Sequence, residues 1–446
     1  MAEAGNTAHP QVTQRQVLTA GFASVVAWSF DLFDLFILLF IASTIGPLFF
    51  PSDQPTLSLA ATYASFAVTL LMRPVGSAIF GNYADKAGRK RAMVVAVFGL
   101  GIVTALMGAV PTIYQIGVFA PILFLSLRVV QGIFVGGVVA STHTIGTETV
   151  PEKWRGLMSG LTGGSGAGLG ALFASLALLV ASSLFPGDAF SVWGWRFMFF
   201  TGLIGAIIGY FVFRSVEESP IWALQARRAQ TRRAPLKIVF SREYLPVFLL
   251  SLMISTGAGT QYYLTTGYLP TFLDVINGVP RNVESRVLIV SSLVVVVAAP
   301  LVGHLSQMIG RKKTFIIAET ASIIGIPLCY LQLTGLGEDS IGAILFYAAT
   351  LAFFGKVAYA PLIIFLNERF PTAIRASGTG LNWNIGFAIG GVMPTFVALS
   401  SPSIEDIPSR LIAFLVVACL LFLAGSILSP ETKGNLETVT ETKGEF

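Results

Sequence analysis

Few ionisable side chains of this 446-residue chain lie inside its long apolar runs, and those few are where chemistry would be expected. A charge at bilayer depth costs at least about 2.5 kcal/mol, and residues that bear this cost usually act on ions or solutes. The first run, Trp28-Ser-Phe-Asp-Leu-Phe-Asp-Leu-Phe36, carries Asp31 and Asp34. On a helix beginning near residue 19 they lie roughly 18 and 22 Å in, near mid-membrane. A spacing of three puts them on one helical face, where two carboxylates can share protons. Proton coupling is the expectation; the alternative is a pair of hydrogen-bonding groups at a helix interface.

Cations at depth suit an anionic solute. Arg128, in Arg128-Val-Val-Gln-Gly132, lies roughly 15 Å below the outer surface. It is expected to pair with Asp31 or Asp34 when empty and to fork onto a substrate carboxylate when loaded; a permanent ion pair is the alternative. Lys356 is the one lysine at depth in the second half and the expected second clamp, unless it snorkels to the surface. Gln261, Tyr262, Tyr263, Asn382 and Asn384 are expected to shape a polar cavity wall. Arg73 is expected to serve a structural or gating pair and Glu319 to mark a helix end, while His143 is read as packed or hydrated. The three histidines suggest no metal site, and no nucleophile–base pair appears at depth, so no enzyme and no cofactor are expected.

The elements that hold these residues follow from composition. With 54% apolar residues and 11% charged, the chain cannot be a soluble globule, where charge is typically about 25%. Apolar runs long enough to span a hydrocarbon core lie near 19–41, 59–80, 92–110, 118–145, 157–183 and 196–213, then 245–272, 287–307, 314–333, 341–366, 376–399 and 410–428. The fold class expected is an all-α membrane protein of twelve transmembrane helices in two six-helix halves. Residues 1–16 and 429–446 are read as tails, 17–213 and 244–428 as the two bundles, and 214–243 as a basic linker. If alternate connections are inside, they and the tails hold 21 of the 28 lysines and arginines, which satisfies the positive-inside rule and puts both termini in the cytoplasm. The net charge of +5 therefore reports topology rather than nucleic-acid binding. Cys329 and Cys419 lie in apolar runs and are read as packing residues.

Two repeats tie the halves together. Gly81-Asn-Tyr-Ala-Asp-Lys-Ala-Gly-Arg-Lys-Arg91 returns as Gly303-His-Leu-Ser-Gln-Met-Ile-Gly-Arg-Lys-Lys313, and Glu148, Pro151 and Arg155 return as Glu368, Pro371 and Arg375. Each phrase is expected to form a tight basic loop, and each acid to latch onto the arginines of that loop, Arg89 or Arg311. The alternative is charges that merely mark helix ends. Asp85 is answered by Gln307, so the second latch is expected to be the weaker.

Gly81, Asp85, Gly88, Arg89 and Lys90 resemble the signature loop between helices 2 and 3 of major facilitator superfamily transporters. Asp31 and Asp34 resemble helix 1 of the sialate and monocarboxylate proton symporters, although Leu32 stands where the aromatic-acid symporters usually place a glycine. Arg73-Pro-Val-Gly76, Leu269-Pro-Thr-Phe272 and Glu368-Arg-Phe-Pro371 resemble the metabolite:proton symporter family. The resemblance implies alternating-access import of a small organic acid, a monocarboxylate foremost, with a proton as the coupling ion. It also implies a bacterial-type inner-membrane location, with the lipid bilayer as surroundings and a monomeric state. Alternatives are symport of a zwitterion, polyol or aromatic acid and, in another class, a non-transporting nutrient sensor.

Overall fold

The computed structural model describes residues 14–87, 89–148, 150–215, 238–371 and 374–438. Among these, every regular element is helical. Hydrocarbon enforces this, because a spanning segment must satisfy its backbone N–H and C=O groups within itself.

Twelve spans follow in chain order. α1 comprises Gln14–Phe40 and, after a bend of 61°, Ala42–Phe49. α2 is Pro55–Ala87, α3 Arg89–Ala109 and α4 Phe119–Glu148. α5 joins Arg155–Ser159, a π segment Gly160–Ser165 and Gly166–Leu184, while α6 joins Phe190–Gly194, Trp195–Phe200 and Gly202–Ser215. α7 joins Leu245–Tyr262, a π segment Tyr263–Gly267 and Leu269–Val275. α8 is Arg281–Ile309, α9 Arg311–Thr334, α10 Ile341–Val357 with Leu362–Arg369, α11 Arg375–Leu399 and α12 Ile407–Leu428.

Among the described residues, eight stretches are long and apolar enough to cross a membrane unaided, or nine with the bent α1. The shortfall falls on α3, α7 and α11. The last two trade hydropathy for buried polar groups, such as Ser255, Thr260 and Gln261 on α7 and Thr379, Asn382 and Asn384 on α11.

Within each half the helices pack on one another, and two long interfaces join the halves: α2 against α11 and α5 against α8. Small residues permit the second of these. Gly156, Gly160, Gly164 and Gly168 recur every fourth position of α5, and a Cβ on any of them would strike α8. Helices in lipid associate through such close packing rather than through hydrophobic expulsion.

The repeated phrase proves to be less a loop than two helix ends. Gly303 lies inside α8, and a Cβ there would strike the Gly156 carbonyl. Gly310, at φ 100°, makes the turn by itself. That region of backbone space favours glycine. α9 therefore begins at Arg311, three residues before the expected 314. In the first copy, Gly88 lies outside the described residues, and the side chains of Asp85, Arg89 and Glu148 are likewise undescribed. So are most of the linker, 216–237, and His143.

Candidate functional site

Among the described residues, the ionisable groups at depth fall into two clusters, one in each half. In the first, Asp31 and Asp34 are both buried, but they turn to different neighbours. Asp31 approaches Arg73 of α2, Oδ2 to Nη2 3.4 Å. Asp34 accepts from Thr104 of α3 and from Gln131 of α4, the latter at 2.6 Å. Arg128 meets the expected acid only through this amide, since its Nη1 donates to Gln131 Oε1 at 2.6 Å. Thr69 closes the network by donating to Gln131 Oε1 at 3.3 Å and to the Arg128 carbonyl at 3.2 Å. The Arg128 guanidinium lies over Phe124 and Phe199, and its Nε and Nη2 have no hydrogen-bond partner. Asp31 and Asp34 also line a cleft between α1, α3 and α6 with a volume of about 20 Å³, enough for one water.

In the second half, Lys356 closes the first segment of α10 and is 2% exposed. Its ammonium sits 4.4 Å from the centre of the Tyr262 ring and 5.5 Å from that of Phe36, with no hydrogen-bond partner. Tyr262 belongs to an aromatic group with Tyr359 and Phe387, and Trp383 stacks on Phe387 at 4.3 Å. The Tyr262 hydroxyl and the Asn384 carbonyl oxygen are buried and unpaired. Gln261 and Asn382 are engaged elsewhere. Gln261 donates to both oxygens of Glu319 at 3.1 Å, and Asn382 donates to the Phe248 carbonyl and accepts from Ser255.

Glu319 corrects the sequence reading. It is fully buried rather than a helix-end charge, and it is held by an amide with no ion pair. Because α9 begins at Arg311, eight residues put it roughly 12 Å along the helix.

Contacts within and between the halves cover these clusters at both ends. At the basic end, Trp28 and Tyr359 both donate to the Gly163 carbonyl in the α5 π segment, at 3.2 and 2.6 Å. Ser159 donates to the Ala360 carbonyl in the break of α10. Below them Arg311 forks onto Glu368, Nε and Nη2 each at 3.2 Å, and also donates to Gln307 at 2.6 Å. Gln307 thus joins the latch where an acid stands in the first copy; Glu368 also accepts from Thr432 at 2.8 Å. Arg375 donates to the carbonyls of Asn367, Phe370 and Leu436, while Arg155 opens α5. The segment after α12 is part of the arrangement, because Glu431 accepts from the backbone N–H groups of Arg311 and Lys312 at 2.9 and 3.2 Å.

At the other end, Tyr63 of α2 donates to Thr271 of α7 at 2.7 Å and stacks on Tyr268. Arg281 of α8 bonds Ser43 and Thr44 beyond the bend of α1, together with Asp274 and Glu284. In the sequence Arg281 is only one of the seven lysines and arginines outside the 21 assigned to the inner side. The Arg281/Glu284 spacing of three was the available signal. Gln131, three residues after Arg128, carried the same signal, whereas Thr104 carried none, since neutral polar residues in apolar runs are common.

Comparison with known proteins agrees with this architecture. The profile of the family described as Sugar (and other) transporter matches residues 48–238 and 229–442. The chain is 31% identical over 381 residues to the inner membrane metabolite transport protein YhjE of Escherichia coli K12, covering 84% of this chain and 86% of YhjE. It is 29% identical over 443 residues to the glycine betaine/proline/ectoine/pipecolic acid transporter OusA of Dickeya dadantii, covering 97% and 86%. It is also 29% identical over 439 residues to the alpha-ketoglutarate permease of Escherichia coli K12, covering 97% and 99%. Among solved structures, the major facilitator superfamily proton:xylose symporter XylE of Escherichia coli aligns with a TM-score of 0.71 at 17% identity, over 95% of this chain and 99% of that one, a likeness of fold alone. With a family profile running over nearly its whole length and two six-helix halves joined through α2–α11 and α5–α8, the chain belongs to the sugar (and other) transporter family, has the major facilitator fold and is a multi-pass membrane transporter.

Proposed function

We propose that this protein imports a small organic anion, a monocarboxylate foremost, together with one proton by alternating access. The observation that carries the reading is Lys356, a buried ammonium at bilayer depth with neither an acid nor a hydrogen-bond acceptor beside it among the described residues. A lone charge there is costly, and a substrate carboxylate supplies its counter-charge. Arg128 retains two free guanidinium nitrogens for the same anion, with Tyr262 and Asn384 lining the way and Gln261 and Asn382 holding α7 in place.

Asp31 and Asp34 carry the coupling proton. Protonating Asp34 weakens its hold on the Gln131 amide and so frees Arg128 for substrate; loss of both ligands restores the network, which links the two binding events thermodynamically. Arg73, Gly81, Asp85, Gly88, Arg89, Glu148 and Arg155 in the first half, and Gly303, Arg311, Glu368 and Arg375 in the second, gate the cytoplasmic end. The protein works as a monomer in the inner membrane with both termini in the cytoplasm.

Labelled uptake into membrane vesicles against a panel of acids, zwitterions and polyols tests this. A monoanion moving with one proton carries no net charge, so a pH gradient alone drives uptake and a membrane potential alone does not. Each uncompensated charge would otherwise contribute about 2.3 kcal/mol per 100 mV. Potential-driven uptake without a pH gradient would rule out one-to-one coupling.

A second reading, import of a zwitterion, rests on the rings of Tyr262, Tyr359, Phe387 and Trp383, because aromatic faces attract quaternary ammonium groups. OusA is named for such solutes. Competition by zwitterions alone, with no acid competing, would favour this reading.

A further inference from the structure

Three buried polar atoms without partners converge on one small cavity beside the aromatic group. They are Nζ of Lys356 on α10, Oγ1 of Thr266 in the π segment of α7, and Oγ of Ser291 on α8. All three residues are more than nine-tenths buried. The cavity holds about 10 Å³, and Phe40 and Leu288 form part of its apolar wall. Its lining includes one cation and no acid. Ser292, also on the wall, is already satisfied by the Leu288 carbonyl.

Leaving one buried polar atom unpaired costs about 1–3 kcal/mol, so three on a single cavity point to a group that satisfies them together. A carboxylate does so, since its two oxygens offer about four acceptor sites. We infer that this cavity is the carboxylate subsite of the transported acid, with the hydroxyls of Thr266 and Ser291 donating beside the Lys356 ammonium. The inference rests on the anion reading above and narrows it: the remaining wall is apolar but for the satisfied Ser292 and holds no second cation, which suits one carboxylate rather than two. As it stands the cavity has room for a single water, so the carboxylate enters as the walls part. Thr266 lies where α7 departs from regular α-helix, and π segments are frequent at functional sites.

The test uses the full-length protein in proteoliposomes, with exchange of labelled lactate, pyruvate and glycolate, the best exchanged of which serves as probe. Thr266→Val and Ser291→Ala each remove one donor at nearly constant shape. Each is expected to raise KM several-fold and the pair more than about tenfold, because hydrogen bonds to charged groups are the stronger kind, while Vmax stays within about twofold. Thr266→Ser keeps the hydroxyl and should hold KM at the wild-type value. An unchanged KM in the double variant overturns the subsite and leaves the anion reading standing. Failure of the wild type to exchange any of these acids overturns both together. Chloride protection against heat that vanishes in the double variant, with lactate affinity unchanged, would give the cavity to an inorganic anion instead.

Discussion

At bilayer depth the two halves treat buried charge differently. Around α1 to α4, Asp31 meets Arg73, and Asp34 reaches Arg128 through one amide, so each anion is matched by a cation, in two separate groups. In the second half, Lys356 faces aromatic rings and Glu319 faces an amide, and neither forms an ion pair. A matched network can take up a proton and rearrange without stranding a full charge. An unmatched cation requires something to be brought to it. On the proposed function, the proton is carried in the first half and the lone cation that awaits the substrate, Lys356, stands in the second.

The largest expected effect tests the first assignment. Asparagine mimics the protonated acid without titrating, so Asp34→Asn should still exchange labelled for unlabelled substrate but no longer concentrate it. With one proton per solute, the wild type accumulates about tenfold for each unit of pH gradient, and the variant should fall to an even distribution. Uptake and exchange measured side by side distinguish the two phenotypes. If Asp34→Asn, Asp31→Asn and the double variant all still accumulate substrate, α1 does not couple the proton.

A smaller effect separates matched from unmatched charge. Arg73→Gln leaves the Asp31 carboxylate buried without its cation, and breaking a buried pair from one side costs about 3–5 kcal/mol. Lys356→Gln strands no acid, so its unfolding temperature should stay near that of the wild type while KM for an acid rises about tenfold. Thermal unfolding in detergent, paired with exchange kinetics, reads both quantities. Equal destabilisation by the two substitutions would erase the distinction between the halves.

The smallest effect concerns Glu319→Gln. The carboxylate faces the Gln261 amide, and a second amide of the same shape can take its place, so accumulation should persist and KM should move less than about twofold. Loss of accumulation would place a proton site in the second half as well.

Much of the fold was legible because hydrophobic length and repetition are linear properties. The twelve apolar runs and the twice-written glycine phrase needed no knowledge of neighbours. The site was legible as a list of residues and less so as a set of contacts. Asp31 and Asp34 do share a side of α1, but three residues at 3.6 per turn leave them about 60° apart. That angle is enough to send one to α2 and the other to α3 and α4. Gln131 stands in the run Arg128-Val-Val-Gln-Gly132, but nothing there distinguishes an amide that bridges two charges from one that caps a carbonyl. Glu319 was misjudged for a plainer reason: a helix beginning three residues early moves an acid from the rim into the interior.

The residues just past α12 bear on how the protein can be handled. Glu431 holds the first turn of α9, Thr432 holds Glu368, and the Leu436 carbonyl holds Arg375, so the end of the last helix is sewn into the same joint as Arg311. A purification tag or fluorescent partner fused directly after Leu428 would cut those stitches, whereas one placed beyond Thr438 would leave them whole. A probe attached within this short segment would also move with the joint, giving an optical readout of its opening that needs no labelled substrate.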